Sequence, residues 1–329
     1  MFSFPDCFDG VGVRRFSCWN KNKMFKAVIF SVLVAAALAS EGAGWKYGTT
    51  GYGPDDWGKV SAHCSESAQS PINIETSTVK KNSNLKGLRF TCDNKYGKVS
   101  GKMVNNGHAP TLVINKVEGT AKLTGGPLGD NVYRLQQLHF HFGCDDDKGS
   151  EHTVNGEAYS GELHLVTYNT KYPDFATAVD KPDGLSVIGV FLQEDDDDKA
   201  SYSLRMLSNA MWRIREPDTG VMVRRTFLYN LVPQLKDLSR TSFYSYKGSL
   251  TTPPCYQSVN WIVLKRPIPA SESVLKKMRR LRDHEEHSMC ENCSPLNRST
   301  AALCLNTLDR FVLSKSLGTA SNDVMNNSQ

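Results

Sequence analysis

The sequence predicts a mainly β (α+β) protein, a single domain of strands with a few short peripheral helices. Three observations carry this expectation. Short alternating or apolar segments recur along the chain, and clusters of Gly, Pro, Asn and Asp separate them. No linker, repeat or low-complexity block divides the chain after residue 39. At 329 residues, 40% hydrophobic and 22% charged, the composition is that of an ordinary globular chain, long enough for two domains or one large β-rich domain. The unbroken alternation of strand and turn favours the second.

Residues 1–39 read as a leader. Ala27 to Ala39 form an apolar run of 13, preceded by Arg14, Arg15, Lys21, Lys23 and Lys26 and closed by Ala37-Leu38-Ala39 before Ser40. A basic start, a short apolar stretch and a small-x-small exit describe a secretory signal peptide. Thirteen residues also fall short of the ~20 a helix needs to cross a bilayer. A start at Met24 gives a more usual length, and the competing reading of the run is a buried core helix. The remaining chain is then expected to be secreted and extracellular, with a formal charge of +2 from 34 basic and 32 acidic residues. It has no second apolar stretch of membrane length, and residues 311–329 form a polar tail without a lipid-anchor signal. No Lys/Arg stripe interleaved with aromatics appears. The expected partners therefore include neither nucleic acid nor a membrane span, and the sequence assigns no oligomeric state.

Within residues 40–310, strands are expected at Lys98–Val104, Thr111–Val117, Tyr133–Phe142, Gly161–Tyr168, Ser186–Leu192 and Val259–Leu264. Asn106-Gly107, Gly125-Gly126-Pro127 and Pro182-Asp183-Gly184 punctuate them as turns. Leu204, Leu207, Ala210, Met211 and Ile214 recur at helical spacing, as do Val274, Leu275, Met278 and Leu281 after a Ser271 cap. The acidic runs Asp145–Asp147 and Glu194–Asp198 lack the spaced ligands and central Gly of an EF-hand loop and read as solvated. Seven cysteines lie beyond the leader: Cys64, Cys92, Cys144, Cys255, Cys290, Cys293 and Cys304. An odd number leaves at least one outside intramolecular pairs, and the residues alone assign no pairing. Cys290-x-x-Cys293 has no second CxxC to complete a zinc knuckle and reads as loop cysteines. Asn292, Asn297 and Asn326 stand in Asn-x-Ser/Thr glycan acceptors.

The chemistry concentrates in Tyr133-Arg-Leu-Gln-Gln-Leu-His-Phe-His-Phe-Gly143. In a strand, Gln137, His139 and His141 share one face, while Leu138, Phe140 and Phe142 share the other. Two imidazoles on one face, two residues apart, can reach a single cation. If Gly161-Glu-Leu-His-Leu-Val166 is an antiparallel neighbour, His164 completes a set of three and leaves zinc's fourth tetrahedral position open, the catalytic rather than the structural arrangement. Gln137 and Glu162, each two residues before a histidine, are placed to take the outer N–H of a ligand. A His-x-His alone is commonly polar surface; the third histidine and the two acceptors are what raise the metal reading.

Here the sequence resembles the α-class carbonic anhydrases, from about Trp45 to about Leu296. The resemblance is carried by QSPINI (69–74), NNGH (105–108), QLHFHFG (137–143), GSEHTVNG (149–156), GELHLVTYNTKYPDF (161–175), DGLSVIGVFL (183–192), YKGSLTTPPC (246–255) and VNWIVLKRPI (259–268), in this order and including the 23-position step from His141 to His164. It implies a central, twisted, largely antiparallel sheet and reversible hydration of carbon dioxide to bicarbonate and a proton, with Zn2+ as cofactor. His139, His141 and His164 match the zinc ligands. Zinc lowers the pKa of its water to about 7, which makes hydroxide the nucleophile at neutral pH. Thr251 matches the residue that accepts the hydroxide's hydrogen and donates its own to Glu151, with Thr252 beside it. His108 matches the proton shuttle, and Asn106, Tyr47 and Gln137 match polar groups along its water chain. Val166, Val187, Leu250, Val259 and Trp261 match the apolar wall where carbon dioxide rests.

The resemblance is weakest near the C-terminal end. Phe142 stands where the family often has Trp, which predicts reduced packing away from the metal rather than lost chemistry. Where the family usually reads Asn-x-Arg-Pro-x-Gln-Pro-Leu, this chain has Glu291-Asn-Cys-Ser-Pro-Leu296, without the Arg. Asn292 falls where a backbone carbonyl supports one zinc histidine, a role that conflicts with its being a glycan acceptor. In exported relatives, cysteines at the places of Cys64 and Cys255 form a disulfide. The alternative function is a non-catalytic matrix or binding protein on the same fold. Against it, all three histidines stand, together with Glu151, Thr251 and His108, and no long acidic or repetitive appendage is present.

Overall fold

One of the longest strands begins where the sequence alternates most regularly. In a computed structural model, which describes residues 44–47, 52–81, 87–197, 199–290 and 292–296, that stretch is an eleven-residue strand, Val132–Phe142. The expected leader (1–39), the tail (311–329), Cys304, Asn297 and Asn326 lie outside the described residues. In chain order the strands are β1 (Asn73–Ile74), β2 (Arg89–Cys92), β3 (Lys98–Asn105), β4 (Pro110–Ile114), β5 (Ala121–Thr124), β6 (Val132–Phe142) and β7 (Thr153–Val154). They continue with β8 (Gly161–Asn169), β9 (Leu185–Glu194), β10 (Gly220–Phe227), β11 (Phe243–Gly248) and β12 (Val259–Ala270). Ten of them form one sheet in the order β10-β3-β4-β6-β8-β9-β12-β11, with β5 also beside β6 and β2 beside β5. Every pairing in it is antiparallel except β9 with β12, so the expected largely antiparallel sheet is the one found.

The two faces of this sheet divide the work. Leu138, Phe140, Phe142, Leu163, Leu165, Ile188, Val190, Ile262 and Leu264 point into the larger core cluster, which the helices cover. The helix Tyr202–Trp212 buries Leu204, Leu207, Ala210 and Met211 there, and its N-cap Ser201 accepts from the Leu204 N–H at 3.2 Å. Eleven residues are too few to hold a helix in water, so this packing rather than propensity keeps it folded. The helix Glu272–Met278 buries Val274, Leu275 and Met278. Ser271 stands at its N-cap position, but its hydroxyl pairs with Ser273 instead of capping the helix backbone. The opposite face carries a second cluster that includes Val166, Val187, Val259 and Trp261, together with the three histidines of the expected metal site.

Two expected strands have different limits. The Thr111–Val117 strand stops at Ile114, because the Asn115 side chain accepts from the Val117 N–H and Glu118 closes a turn onto the Asn115 carbonyl, leaving Val117 in solvent. The Val259–Leu264 strand runs on to Ala270 past a register shift between Leu264 and Ile268, which accommodates Pro267.

Candidate metal centre and active site

Register across the sheet places the site. His139 pairs with His164 across β6 and β8, and His164 pairs with Gly189 on β9. The neighbouring row runs Gln137, Val166, Val187, Trp261, Tyr246 through five strands. Residues paired in register share a face, so three imidazoles meet an apolar wall without any loop having to close. One ligand nitrogen from each of His139, His141 and His164 lies within 4.8 Å of the others.

Each imidazole is fixed from behind by a different acceptor. His139 Nδ1 lies 3.0 Å from Gln137 Oε1, His141 Nδ1 lies 2.6 Å from the Asn292 carbonyl, and His164 Nε2 lies 2.8 Å from Glu162 Oε1. The inward atoms are therefore Nε2 of His139 and His141 and Nδ1 of His164. Gly189 makes the third contact available, since a Cβ there would come within 2.7 Å of Glu162 Oε1. Burial holds His139 well below its usual pKa, with the charges of His141 and His164 adding to it, and burial lowers His141 as well. Imidazoles kept neutral are the form a metal requires. His141 Nε2 and Glu151 Oε2 are buried with no hydrogen-bond partner and lie 3.4 Å apart. A buried polar atom without a partner costs roughly 1–3 kcal/mol, and a cation at the meeting point of the three nitrogens would satisfy His141 Nε2. The donor set thus fits zinc.

A second histidine cluster does other work. His152 Nδ1 and its backbone N–H both reach the Glu162 carboxylate, and His152 Nε2 lies 2.7 Å from Tyr246 Oη, itself 2.9 Å from Ser70 Oγ. Ser70 Oγ also accepts from the Ser249 N–H at 3.0 Å. A buried chain of hydrogen bonds therefore links His164 to the loop that carries Thr251. Burial alone would raise the Glu162 carboxyl, but His152 and His164 override it and hold the group well below the usual carboxylate range.

Thr251 and Glu151 are both buried, and Ser294 joins them. Its backbone N–H donates to Glu151 Oε1 at 3.1 Å, and its hydroxyl donates to the Thr251 carbonyl at 2.6 Å. Among the described residues the implied Thr251-to-Glu151 hydroxyl bond is not formed; Glu151 Oε2 faces the histidines instead. Ser294 occupies the place where the resemblance leads one to look for Arg. Tyr47 borders the same pocket, its phenol pushed well up by burial and by the Glu151 charge. Leu250 packs half-buried against the apolar wall, which otherwise comprises Val166, Val187, Val259 and Trp261. Thr252, next to Thr251, accepts the Cys255 N–H at its carbonyl.

His108 stacks on Trp45, with ring centroids 3.9 Å apart and planes 11° from parallel. Asn106 Oδ1 accepts from the backbone N–H groups of His108 and Ala109, so the side chain expected along the water chain first builds the turn that presents His108.

The structure settles the conflict at Asn292. The residue is 1% exposed, its amide donates to the carbonyls of His108 and Phe140, and its Oδ1 accepts from the Phe142 N–H. The glycan reading of Asn292 is thereby corrected: in the folded chain it is a buried support for His141. Phe142 is fully buried, so the smaller ring leaves no exposed gap on the core side. Cys64 and Cys255 form the disulfide that the resemblance implies. A second disulfide, Cys144 to Cys290, takes one cysteine of the CxxC pair and ties the loop after β6 to the segment that carries Asn292.

A strand pair that converges three imidazoles on one point, with a buried carboxylate beside them, defines a metal-dependent enzyme centre with three protein ligands. Comparison with known proteins then specifies the family. Residues 52–303 match the eukaryotic-type carbonic anhydrases. Carbonic anhydrase 7 of Mus musculus is 38% identical over 256 residues, covering 76% of this chain and 92% of that protein. Carbonic anhydrase 7 of Homo sapiens is 38% identical over 257 residues, covering 77% and 92%. The chain belongs to the eukaryotic-type carbonic anhydrase family, an enzyme class that uses zinc as its cofactor.

Proposed function

We propose that the chain catalyses reversible hydration of carbon dioxide to bicarbonate and a proton, with zinc held by His139, His141 and His164. The observation that carries this reading is the threefold anchoring of those imidazoles by Gln137, Asn292 and Glu162, which aims one nitrogen of each at a common point. Bound there, zinc supplies Lewis acidity that brings the ionisation of water close to neutral pH. Val166, Val187, Leu250, Val259 and Trp261 exclude water and leave an apolar resting place for carbon dioxide. Thr251 Oγ1 accepts the hydrogen of the attacking oxygen and donates its own to Glu151, which turns a lone pair toward the substrate. Glu151 Oε2 carries no hydrogen bond and so has the acceptor capacity the relay needs, although in the structure it faces His141 and His164 and would turn to Thr251 to use it. Asn106, Tyr47 and Gln137 hold water that carries the product proton to His108, and Thr252 borders the substrate. Export to the extracellular space follows from the signal-peptide pattern, and two disulfides fit an oxidising compartment.

The test of the whole reading is zinc stoichiometry measured alongside stopped-flow carbon dioxide hydration on residues 40–329. One zinc per chain with rapid hydration is expected; a chain that binds zinc and fails to hydrate carbon dioxide would restore the non-catalytic alternative. Thr251→Ala and Glu151→Gln are each expected to lower kcat/KM by an amount worth about 2–4 kcal/mol, the scale of a lost positioning interaction. Zinc content should stay at one equivalent in both. Unchanged rates in both variants would rule out the relay. His108→Ala is expected to lower kcat in weak buffer and to recover with added imidazole buffer, because it removes the carrier and not the nucleophile. A loss that is the same at every buffer concentration would exclude His108 as the shuttle.

A further inference from the structure

We propose that His284 is a second proton station, receiving the product proton from His108 and passing it to bulk buffer. The inference rests on the carbonic anhydrase reading above and extends its proton path by one residue outside the site already described.

The geometry comes first. His108 sits in a slot with Trp45 stacked on one face and His284 at its side, the two imidazole centroids 6.0 Å apart at an interplanar angle of 67°. That separation exceeds a direct hydrogen bond and suits one bridging water. Gly107, next to His108, has φ +80°, and a Cβ there would collide with His284 Nδ1 at 2.0 Å. The turn that presents His108 therefore needs glycine for both its backbone angle and its closeness to His284. The other ring nitrogen, Nε2, lies 3.3 Å from Asp218 Oδ2, which orients the ring. His284 is half exposed and Asp218 is 78% exposed, so the outer end of this pair opens on solvent. Lys46, beside Trp45, forms an ion pair with Glu285, beside His284, which ties the two walls of the slot together.

The electrostatics run the same way. Burial lowers His108 to about 4, with a like charge on His284 acting in the same direction and Asp283 opposing them. A proton on His108 in the stacked position is thus weakly held and passes outward. The groups around His284 are mostly acidic: Asp218 from the segment before β10, then Asp283, Glu285 and His287 from its own loop, with Lys46 paired to Glu285 as the cation. In the transfer, imidazolium His108 gives its proton through the bridging water to His284. His108 returns to neutral, and His284 imidazolium releases the proton to buffer. Asp218 is a positioning residue in this step.

The test is His284→Gln, which keeps a polar side chain but cannot carry the proton. In weak buffer kcat should fall several-fold while kcat/KM stays at the wild-type value, and imidazole buffer should restore kcat. Asp218→Asn, with the imidazole kept, should show a smaller fall of the same kind. As a readout independent of turnover, NMR titration of zinc-free protein should show the His108 midpoint rising in His284→Gln, because a like charge is removed. An unchanged kcat in weak buffer, or an unmoved His108 midpoint, overturns the proposal. Zinc-loaded wild type that does not hydrate carbon dioxide would overturn the reading of the enzyme, and this relay with it. An active wild type whose His284→Gln variant turns over at full speed overturns the relay alone.

Discussion

Replacing His141 with alanine is expected to abolish zinc binding and carbon dioxide hydration together. The side chain is 1% exposed, and its two nitrogens have separate duties, Nε2 toward the metal and Nδ1 toward the Asn292 carbonyl at 2.6 Å. Alanine leaves two protein ligands where a catalytic zinc site uses three. It also strands the Asn292 carbonyl, a buried acceptor whose loss of partner costs about 1–3 kcal/mol in stability. A matched control is Gln137→Ala, which keeps all three ligands and removes only the acceptor behind His139. Loss of such an outer contact typically costs about 10–100-fold in metal affinity, so this variant should bind zinc more weakly but still bind it. The measurements are zinc per chain after dialysis and the hydration rate of each variant. Stoichiometric zinc with near-normal hydration in His141→Ala would remove His141 from the ligand set.

Much of this site was legible in the sequence because strand geometry is simple. A period of two puts Gln137, His139 and His141 on one face, and the same rule puts Glu162, His164 and Val166 together on β8. Their alignment across the strands depends on a pairing register that antiparallel pairing alone does not fix, and the structure supplies it: His139 opposite His164. Three other features were less accessible. The support for His141 comes from Asn292, 151 residues away, in a segment where the family pattern breaks down. Ser294 replaces an expected Arg yet touches both Glu151 and Thr251 through a backbone N–H and a short hydroxyl bond, contacts that no spacing rule encodes. The edge strand β10 carries Arg224 and Arg225 on exposed positions and buries only two of its eight residues, so it shows no alternation to read. What periodicity conveys is a face; what it omits is any partner brought in by a loop.

Removing the Cys64–Cys255 disulfide is expected to lower stability by about 2–4 kcal/mol and to reduce activity in the same variant. The bond closes a loop of 191 positions, for which the chain-entropy relation gives about 5 kcal/mol, an upper figure because residual structure in the unfolded chain reduces it. Cys255 ends the turn that follows Thr251, and Cys64 lies in the short helical turn Ala62–Ser65 near the N-terminal end of the described chain. The link therefore fixes the loop that carries Thr251 to a segment distant in sequence. Other contacts share that duty. The Ser61 hydroxyl donates to the Pro254 carbonyl at 2.9 Å, the Gln69 amide reaches the Cys255 carbonyl at 3.4 Å, and Ser70 and Ser249 exchange hydrogen bonds. These bonds hold the loop near its place, so activity should drop only a few-fold while stability drops further. The double variant Cys64→Ser/Cys255→Ser, compared with wild type by urea unfolding and by hydration rate, separates the two effects. Equal unfolding midpoints would show that the bond carries no stability. A hydration rate that falls as far as in Thr251→Ala would show that the disulfide, rather than the hydrogen bonds around it, positions Thr251.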